Sequence, residues 1–221
     1  MSLMPDPDGR PTPRRIRIIG RLLNRAIVRA PWIWPLLRGP MRRFFDRLAP
    51  GWDTRTGAGS VEHLAPLAAA LLHVKPAPER ALDVGTGTGE GALLLAREFP
   101  QASIRGVDIS DEMIRAAVTK VGLDPEGRIA FRVADAARLP YDAESFDLVS
   151  HLNMPPFIPE IARVLRPGGY AIVASSWGPA TPFYTPSPVL DWGFAKRGLE
   201  PAATGEAGGG TYWVGRKLAG A

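Results

Sequence analysis

The chain has no cysteine, which excludes disulfide bridges and thiolate metal sites and leaves its redox compartment open. Histidine is scarce. His63, His73 and His151 are too scattered in sequence to suggest a zinc site, so no metal is expected. Long apolar runs are also missing: none approaches the ~20 residues that a membrane-spanning helix needs. Residues 1–13 are rich in proline, aspartate and glycine. They lack the apolar segment of a secretory leader and read as disordered. What remains is ordinary for a globular protein: 221 residues, 45% hydrophobic and 22% charged, fit one medium domain with an extension.

Charge is unevenly spread. Residues 1–50 hold eleven arginines against three aspartates, a surplus of eight, so with a chain total of +5 the remainder nets −3. Basic character therefore belongs to an extension over residues 14–51. This argues against a nucleic-acid-binding domain, and no DNA partner is expected. Within it, residues 14–30 read as an amphipathic helix. Ile16, Ile19, Leu22, Leu23, Ala26, Ile27 and Ala30 fall on one arc, most arginines fall on the other, and Pro31 ends it. Trp32, Trp34 and the run Arg42-Arg43-Phe44-Phe45 follow. A basic helix followed by paired tryptophans suits an anionic membrane surface, here through residues 14–47. A lid that packs its apolar face on the domain is the competing expectation, and the two can coexist.

Residues 52–221 form the second unit. A helix is expected over Val61–His73, and from Arg80 strands and helices alternate regularly. Strands are expected at 80–84, 103–107, 128–134, 146–150 and 170–175, with two weaker ones at 200–204 and 211–217 joined by a loose link at Gly205–Gly210. Helices are expected at about 90–97, 111–121 with Ser110 as N-cap, 158–165 stopped by Pro167-Gly-Gly169, and 189–197. This is a doubly wound, mostly parallel α/β sheet of seven strands. The apolar run Ala81–Val84, the alternating Gly85, Gly87 and Gly89, and the helix opening at Glu90 make a strand–turn–helix unit. Its backbone can approach a ligand closely. Ligands in such sheets bind at the carboxyl ends of the strands. There lie Asp108, nineteen residues past Gly89, then Asp135-Ala136, and His151-Leu-Asn153. A carboxylate at Asp108 can accept from ribose hydroxyls. The dinucleotide pattern G-x-G-x-x-G fails from Gly85, because Glu occupies position 90.

Five motifs in order carry a resemblance: Leu82-Asp-Val-Gly-Thr-Gly-Thr-Gly89, Gly106-Val-Asp-Ile-Ser110, Ala134-Asp-Ala136 with Leu139-Pro140, Ser145-Phe-Asp-Leu-Val149, and Ala162-Arg-Val-Leu-Arg-Pro-Gly-Gly169. Over about residues 52–217 the chain resembles the class I S-adenosylmethionine-dependent methyltransferases, in the group of ubiquinone/menaquinone methyltransferases. The resemblance implies a Rossmann-like methyltransferase fold and S-adenosyl-L-methionine as cofactor. Gly85, Thr86, Gly87 and Gly89 would pass beside its methionine part, with Asp83 supporting the turn. Asp108 would hold the ribose and Ile109 would pack on adenine. Asp135 would accept from the adenine amino group, and the Ala136 N–H would bond a ring nitrogen. His151 to Asn153 would face the methyl group, with Asn153 touching the cofactor and His151 the candidate base.

Bland readings stand beside these. Asp83 and Asp135 could cap loops, His151 could be a solvated loop residue, and His63 on its apolar helix reads as structural. Trp52 and Arg55 could close over the cofactor or merely pack. The aromatic, leucine- and proline-rich segments 14–60 and 177–184 favour a small apolar acceptor. A lipid-soluble quinone precursor methylated by a cytoplasmic, membrane-peripheral enzyme is the leading expectation. A soluble tailoring enzyme for aromatic or polyketide-like metabolites is the alternative. So is a non-catalytic cofactor-binding protein whose basic extension docks on RNA or a partner protein.

Overall fold

A computed structural model describes residues 14–219, apart from 123 and 125. The expectation of disorder over residues 1–13 lies outside the described residues, as do the side chains of residues 14–17, Ile16 among them.

The sheet grows outward from β1 (Arg80–Val84), whose last four residues are buried on both faces, as a central parallel strand requires. It pairs in parallel with β2 (Ser103–Asp108) on one side and β4 (Phe146–Leu152) on the other. Beyond β2 lies β3 (Ile129–Val133), and beyond β4 lies β5 (Leu165–Ser175). The antiparallel pair β6 (Leu199–Ala207) and β7 (Gly210–Lys217) completes the order β3-β2-β1-β4-β5-β7-β6. The order reverses between β1 and β4, which opens a crevice above their carboxyl ends.

Alternation along the strands divides the core into two layers. Ala81, Ile104, Leu148 and Ile172 pack under α4 (Val61–Leu71) and α5 (Glu90–Glu98). Leu82, Val149, Val173 and Trp213 pack under α7 (Ile158–Val164) and α8 (Ser187–Ala195). The helix α6 (Asp111–Val121) lies beside β2 and β3 and is capped by Ser110, whose Oγ accepts from Met113 N.

Four expectations need correction. The fourth strand runs two residues past Ser150, so His151 lies within β4 and is not a loop residue. The segment Pro167–Gly169 belongs to β5, since the chain leaves α7 at Leu165 already extended. The link between β6 and β7 is a tight turn. Both strands run up to Gly208-Gly209, whose φ values of 57° and 77° suit a two-residue hairpin. Gly205 is in the strand because the Tyr212 ring covers it: an added Cβ would stand 2.5 Å from Tyr212 Oη.

The fourth correction concerns α1 (Arg14–Arg29). Its docking seam is Gly20, Asn24 and Ile27, spaced for one helix face. A Cβ on Gly20 would meet Pro182, and Asn24 Nδ2 donates to Tyr184 O (2.9 Å) and Thr185 Oγ1 (2.8 Å). Ile19 and Leu22, expected on the packed arc, are each 58% exposed. After a 3-10 turn at Pro31–Ile33 come α2 (Trp34–Leu48) and α3 (Trp52–Thr56). Residues 20–56 thus cross the carboxyl ends of the sheet from the loop after β5 to the loop after β3. Among the described residues no helix is long and apolar enough to cross a membrane.

Candidate functional site

The glycine turn after β1 is built over a buried carboxylate. Asp83 Oδ2 accepts from Thr86 Oγ1 (2.7 Å) and Oδ1 from Ser150 Oγ (3.2 Å). A Cβ on Gly91 would stand 2.7 Å from Oδ2, so only glycine lets α5 start this close. Burial pushes the Asp83 carboxyl up to about 6, against the Thr86 and Ser150 hydroxyls and the Ala92 amide. The turn glycines adopt left-handed φ, 68° at Gly85, 53° at Gly87 and 91° at Gly89. They differ in what they face. A Cβ on Gly85 would lie 2.1 Å from Met154 Sδ, whereas one on Gly87 would have nothing within 4 Å and would project into open space. Gly89 faces Phe131 and Ala117 and does not line the cavity. It is a packing glycine, which corrects its expected cofactor role.

That open space is a cleft of about 1100 Å³ counting its open mouth. Its polar floor is Asp83, Thr86, Gly87 and Asp108. Asp108 accepts from Gly87 N and Ser110 N, both at 2.9 Å, which leaves lone pairs on each oxygen. Burial raises its pKa against those amide bonds. Ile109, Ala134, Ala136 and Asn153 line the same space. Asn153 is held at a left-handed φ of 61°, a conformation that asparagine adopts more readily than other non-glycine residues.

Asp135 goes elsewhere. Its Oδ1 accepts from the Trp34 indole (2.7 Å) and from Ala137 N (2.9 Å), and Arg38 stands 3.7 Å from Oδ2. The expected adenine acceptor instead anchors α2 to the loop after β3, and it is not among the cavity-lining residues. His151 does not reach the cavity either. It is 1% exposed, neither ring nitrogen has a hydrogen-bond partner, and burial pulls its pKa down to about 3. Both the catalytic and the solvated-loop expectation placed it beyond the strand, where it is not.

The other half of the cleft comes from the extension. Trp34, Met41, Phe45 and Trp52 line it together with Met154, Phe157 and Phe183, and Trp34 packs edge-on against Phe157 at 4.9 Å. Polar clips hold this cover onto the strand ends. Asp46 accepts from Ser110 Oγ (2.6 Å), Arg42 pairs with Asp111, and Asp53 accepts from Thr88 Oγ1 (2.5 Å) and pairs with Lys120 (2.5 Å). Arg55 turns away and donates to Pro50 O and Leu48 O. His63, which reads as structural in the sequence, lines the cleft at 8% exposure. Its ring packs edge-on against Trp177 at 5.2 Å. Nothing in local spacing reveals it, because its partners Asn153 and Trp177 are about ninety or more residues away in the chain.

The residues present fit a nucleoside bearing an amino-acid tail. Open space stands over Gly87, a carboxylate with spare lone pairs sits at the end of β2, and small apolar walls rise at Ile109 and Ala136. Comparisons agree. Residues 81–169 match the family model of a methyltransferase domain. The chain is 37% identical over 150 residues to the ubiquinone/menaquinone biosynthesis C-methyltransferase UbiE of Syntrophotalea carbinolica, covering 64% of this chain and 63% of that protein. It is 30% identical over 181 residues to a demethylmenaquinone methyltransferase of Symbiobacterium thermophilum, covering 72% of each. A malonyl-[acyl-carrier protein] O-methyltransferase of Methylococcus capsulatus is 34% identical over 68% of this chain and 58% of its own. Among solved structures, a methyltransferase in complex with the Haloferax volcanii Trm112 methyltransferase activator superposes with a TM-score of 0.65. It is 21% identical, over 79% of this chain and 98% of that one. The chain belongs to the class I S-adenosylmethionine-dependent methyltransferases, and within them to the ubiquinone/menaquinone methyltransferase group. The chain covers a little less than two thirds of the first of these relatives.

Proposed function

We propose that the protein methylates a small apolar acceptor of the quinol type, at or near an anionic membrane surface. The observation that carries this reading is the composition of the cleft. Its cofactor floor is polar, while the rest of its lining is dominated by Trp34, Met41, Phe45, Trp52, Phe157 and Phe183, with His63, Glu90 and Asn153 as the polar exceptions. A flat aromatic acceptor matches such walls, and a charged one would lose hydration without gaining partners.

S-adenosylmethionine supplies a methyl group on a good leaving group, so the protein has mainly to position the reactants and exclude water. We assign the ribose hydroxyls to Asp108 and the adenine to Ile109 and the Ala136 amide. The amino-acid tail falls to the turn at Gly85, Thr86 and Gly87, with Asp83 beneath it and Asn153 beside it. The extension closes the aromatic wall over the acceptor.

The membrane part of the reading rests on a face that the fold leaves unpartnered. Ile18, Ile19, Leu22, Trp32 and Leu36 are exposed on α1, the 3-10 turn and α2, the last two at 77% each. Arg21, Arg25, Arg29, Arg38 and Arg43 are interspersed among them. Apolar anchors ringed by arginines complement an anionic lipid surface.

The test is transfer of labelled methyl from S-adenosylmethionine to a short-chain 1,4-naphthoquinol kept reduced, with malonyl-acyl carrier protein as the competing acceptor. Label in the naphthoquinol supports the reading. Label in the carrier protein, or in neither, overturns it.

A further inference from the structure

The cleft contains one titratable ring that the cofactor does not need. His63 stands on the first turn of α4, which is fixed by the Ser60 N-cap (His63 N to Ser60 Oγ, 3.1 Å). The hydrogen bonds around it determine which nitrogen carries its proton. Ser176 N can only donate, and it lies 2.8 Å from Asn153 Oδ1. The Asn153 amide is thereby oriented, and its NH2 faces Ser176 Oγ at 2.9 Å and His63 Nε2 at 3.5 Å. Ser176 Oγ spends its own proton on His63 O (2.7 Å), so it too must accept from Asn153. A nitrogen that faces an amide donor carries a lone pair. Facing that donor, Nε2 carries the lone pair and the ring proton falls to Nδ1.

Resting on the methyl-transfer reading above, we propose that His63 is the catalytic residue that takes the acceptor's proton, through Nε2. The acceptor's nucleophilic atom bonds to the methyl carbon as the methyl–sulfur bond breaks, its electron pair leaving with sulfur. The acceptor's proton passes to Nε2, and the imidazolium later returns it to solvent. The long 3.5 Å approach of Asn153 is easily displaced by an acceptor hydroxyl. Burial pulls the ring's pKa down to about 4, so it stands neutral with its lone pair free throughout the physiological range, as a weak base that takes the proton only as methyl transfer acidifies the acceptor. The Thr56 carbonyl and the Asp53 carboxylate oppose that shift without cancelling it. Of the other acids, Asp83, Glu90 and Asp108 line the same cleft, and Glu90 is neutralised by Lys120 at 2.7 Å. Trp177 holds the ring edge-on.

Two readouts test this, and they separate its failure from failure of the acceptor reading. The first needs no turnover. Nitrogen NMR of the wild-type protein with S-adenosylhomocysteine, its three histidines assigned by single substitution, should show His63 neutral at pH 7 with the proton on Nδ1. A charged ring, or the proton on Nε2, overturns the assignment whatever the acceptor is. The second uses the reduced naphthoquinol. His63→Ala and His63→Gln should lower kcat at least ~100-fold while leaving the affinity for S-adenosylhomocysteine within about threefold, and imidazole should partly rescue the alanine variant. A kcat near wild type in His63→Gln overturns it. If the wild-type protein leaves the naphthoquinol unmethylated, the acceptor reading falls, and the NMR result decides His63 by itself.

Discussion

His151 spends free energy that the fold must recover elsewhere, since two ring nitrogens are buried without partners on β4 at roughly 1–3 kcal/mol for each unmet polar group. Its folded pKa, near 3, lies well below the ordinary 6.5. Above pH 6.5 neither folded nor unfolded chain protonates it, and its contribution is constant. As the pH falls from 6.5 toward 3, the unfolded chain takes up a proton that the fold refuses, and stability drops. His151→Leu should therefore match or exceed wild-type stability at neutral pH. Its advantage in urea melts should widen by about 1.4 kcal/mol per pH unit below 6.5. A constant difference between the two proteins would show that the ring is solvated. The glycine turn supports a second prediction. Gly85→Ala adds a Cβ at a φ of 68° within 2.1 Å of Met154 Sδ and should weaken S-adenosylhomocysteine binding at least ~10-fold. Gly168→Ala has a similar φ of 80° but open space around it, and should cost only about 1 kcal/mol of stability with binding unchanged. Asp83 adds a linkage of its own. Its carboxyl, raised to about 6, would ionise to meet the cationic tail of the ligand, so binding at pH 6 should release about half a proton per site, which calorimetry in buffers of different ionisation enthalpy would register.

At the scale of elements, the N-terminal segment does two jobs with opposite faces. Trp34 is buried against Phe157 (ring centroids 4.9 Å apart) and bonds Asp135, while Trp32, two residues earlier, is 77% exposed. Replacing Trp32 and Leu36 together by Glu should abolish co-sedimentation with anionic vesicles and leave cofactor binding intact. Undiminished sedimentation would contradict the membrane reading. Trp34→Ala should instead leave vesicle binding alone and speed hydrogen exchange in α2, because the cover loses its hold on the loop after β3. The two faces also show what was legible in the sequence. A helix over residues 14–30 follows from its 3.6-residue period, and the strand–turn–helix at β1 from its apolar run and glycines. Which face of α1 docks depends on Tyr184, Thr185 and Pro182, about 160 residues away, and no local pattern encodes that. That Asp108 faces the cleft was legible because its place at the end of β2 is fixed by the sheet. Asp135 departs from its expected place because the Trp34 indole, about a hundred residues away in the chain, competes for it, and His151 because β4 runs two residues past Ser150. That His63 lines the cleft was not legible, because the groups around it, Asn153, Ser176 and Trp177, come from distant parts of the chain.

The whole molecule combines a sheet whose strand ends form the polar floor of the cleft with an N-terminal cover, clipped to those ends, that lines the cleft with aromatic side chains. That division rests on the cleft above β1 and β4 binding the cofactor with Asp108 at its centre. Titration calorimetry of the full chain with S-adenosylhomocysteine tests it most directly. One-to-one binding is expected, weakened about 10- to 100-fold by Asp108→Ala through loss of about 1.5–3 kcal/mol from a charge-assisted hydrogen bond. Absence of heat with the wild-type protein, or equal affinity in the variant, would contradict the account.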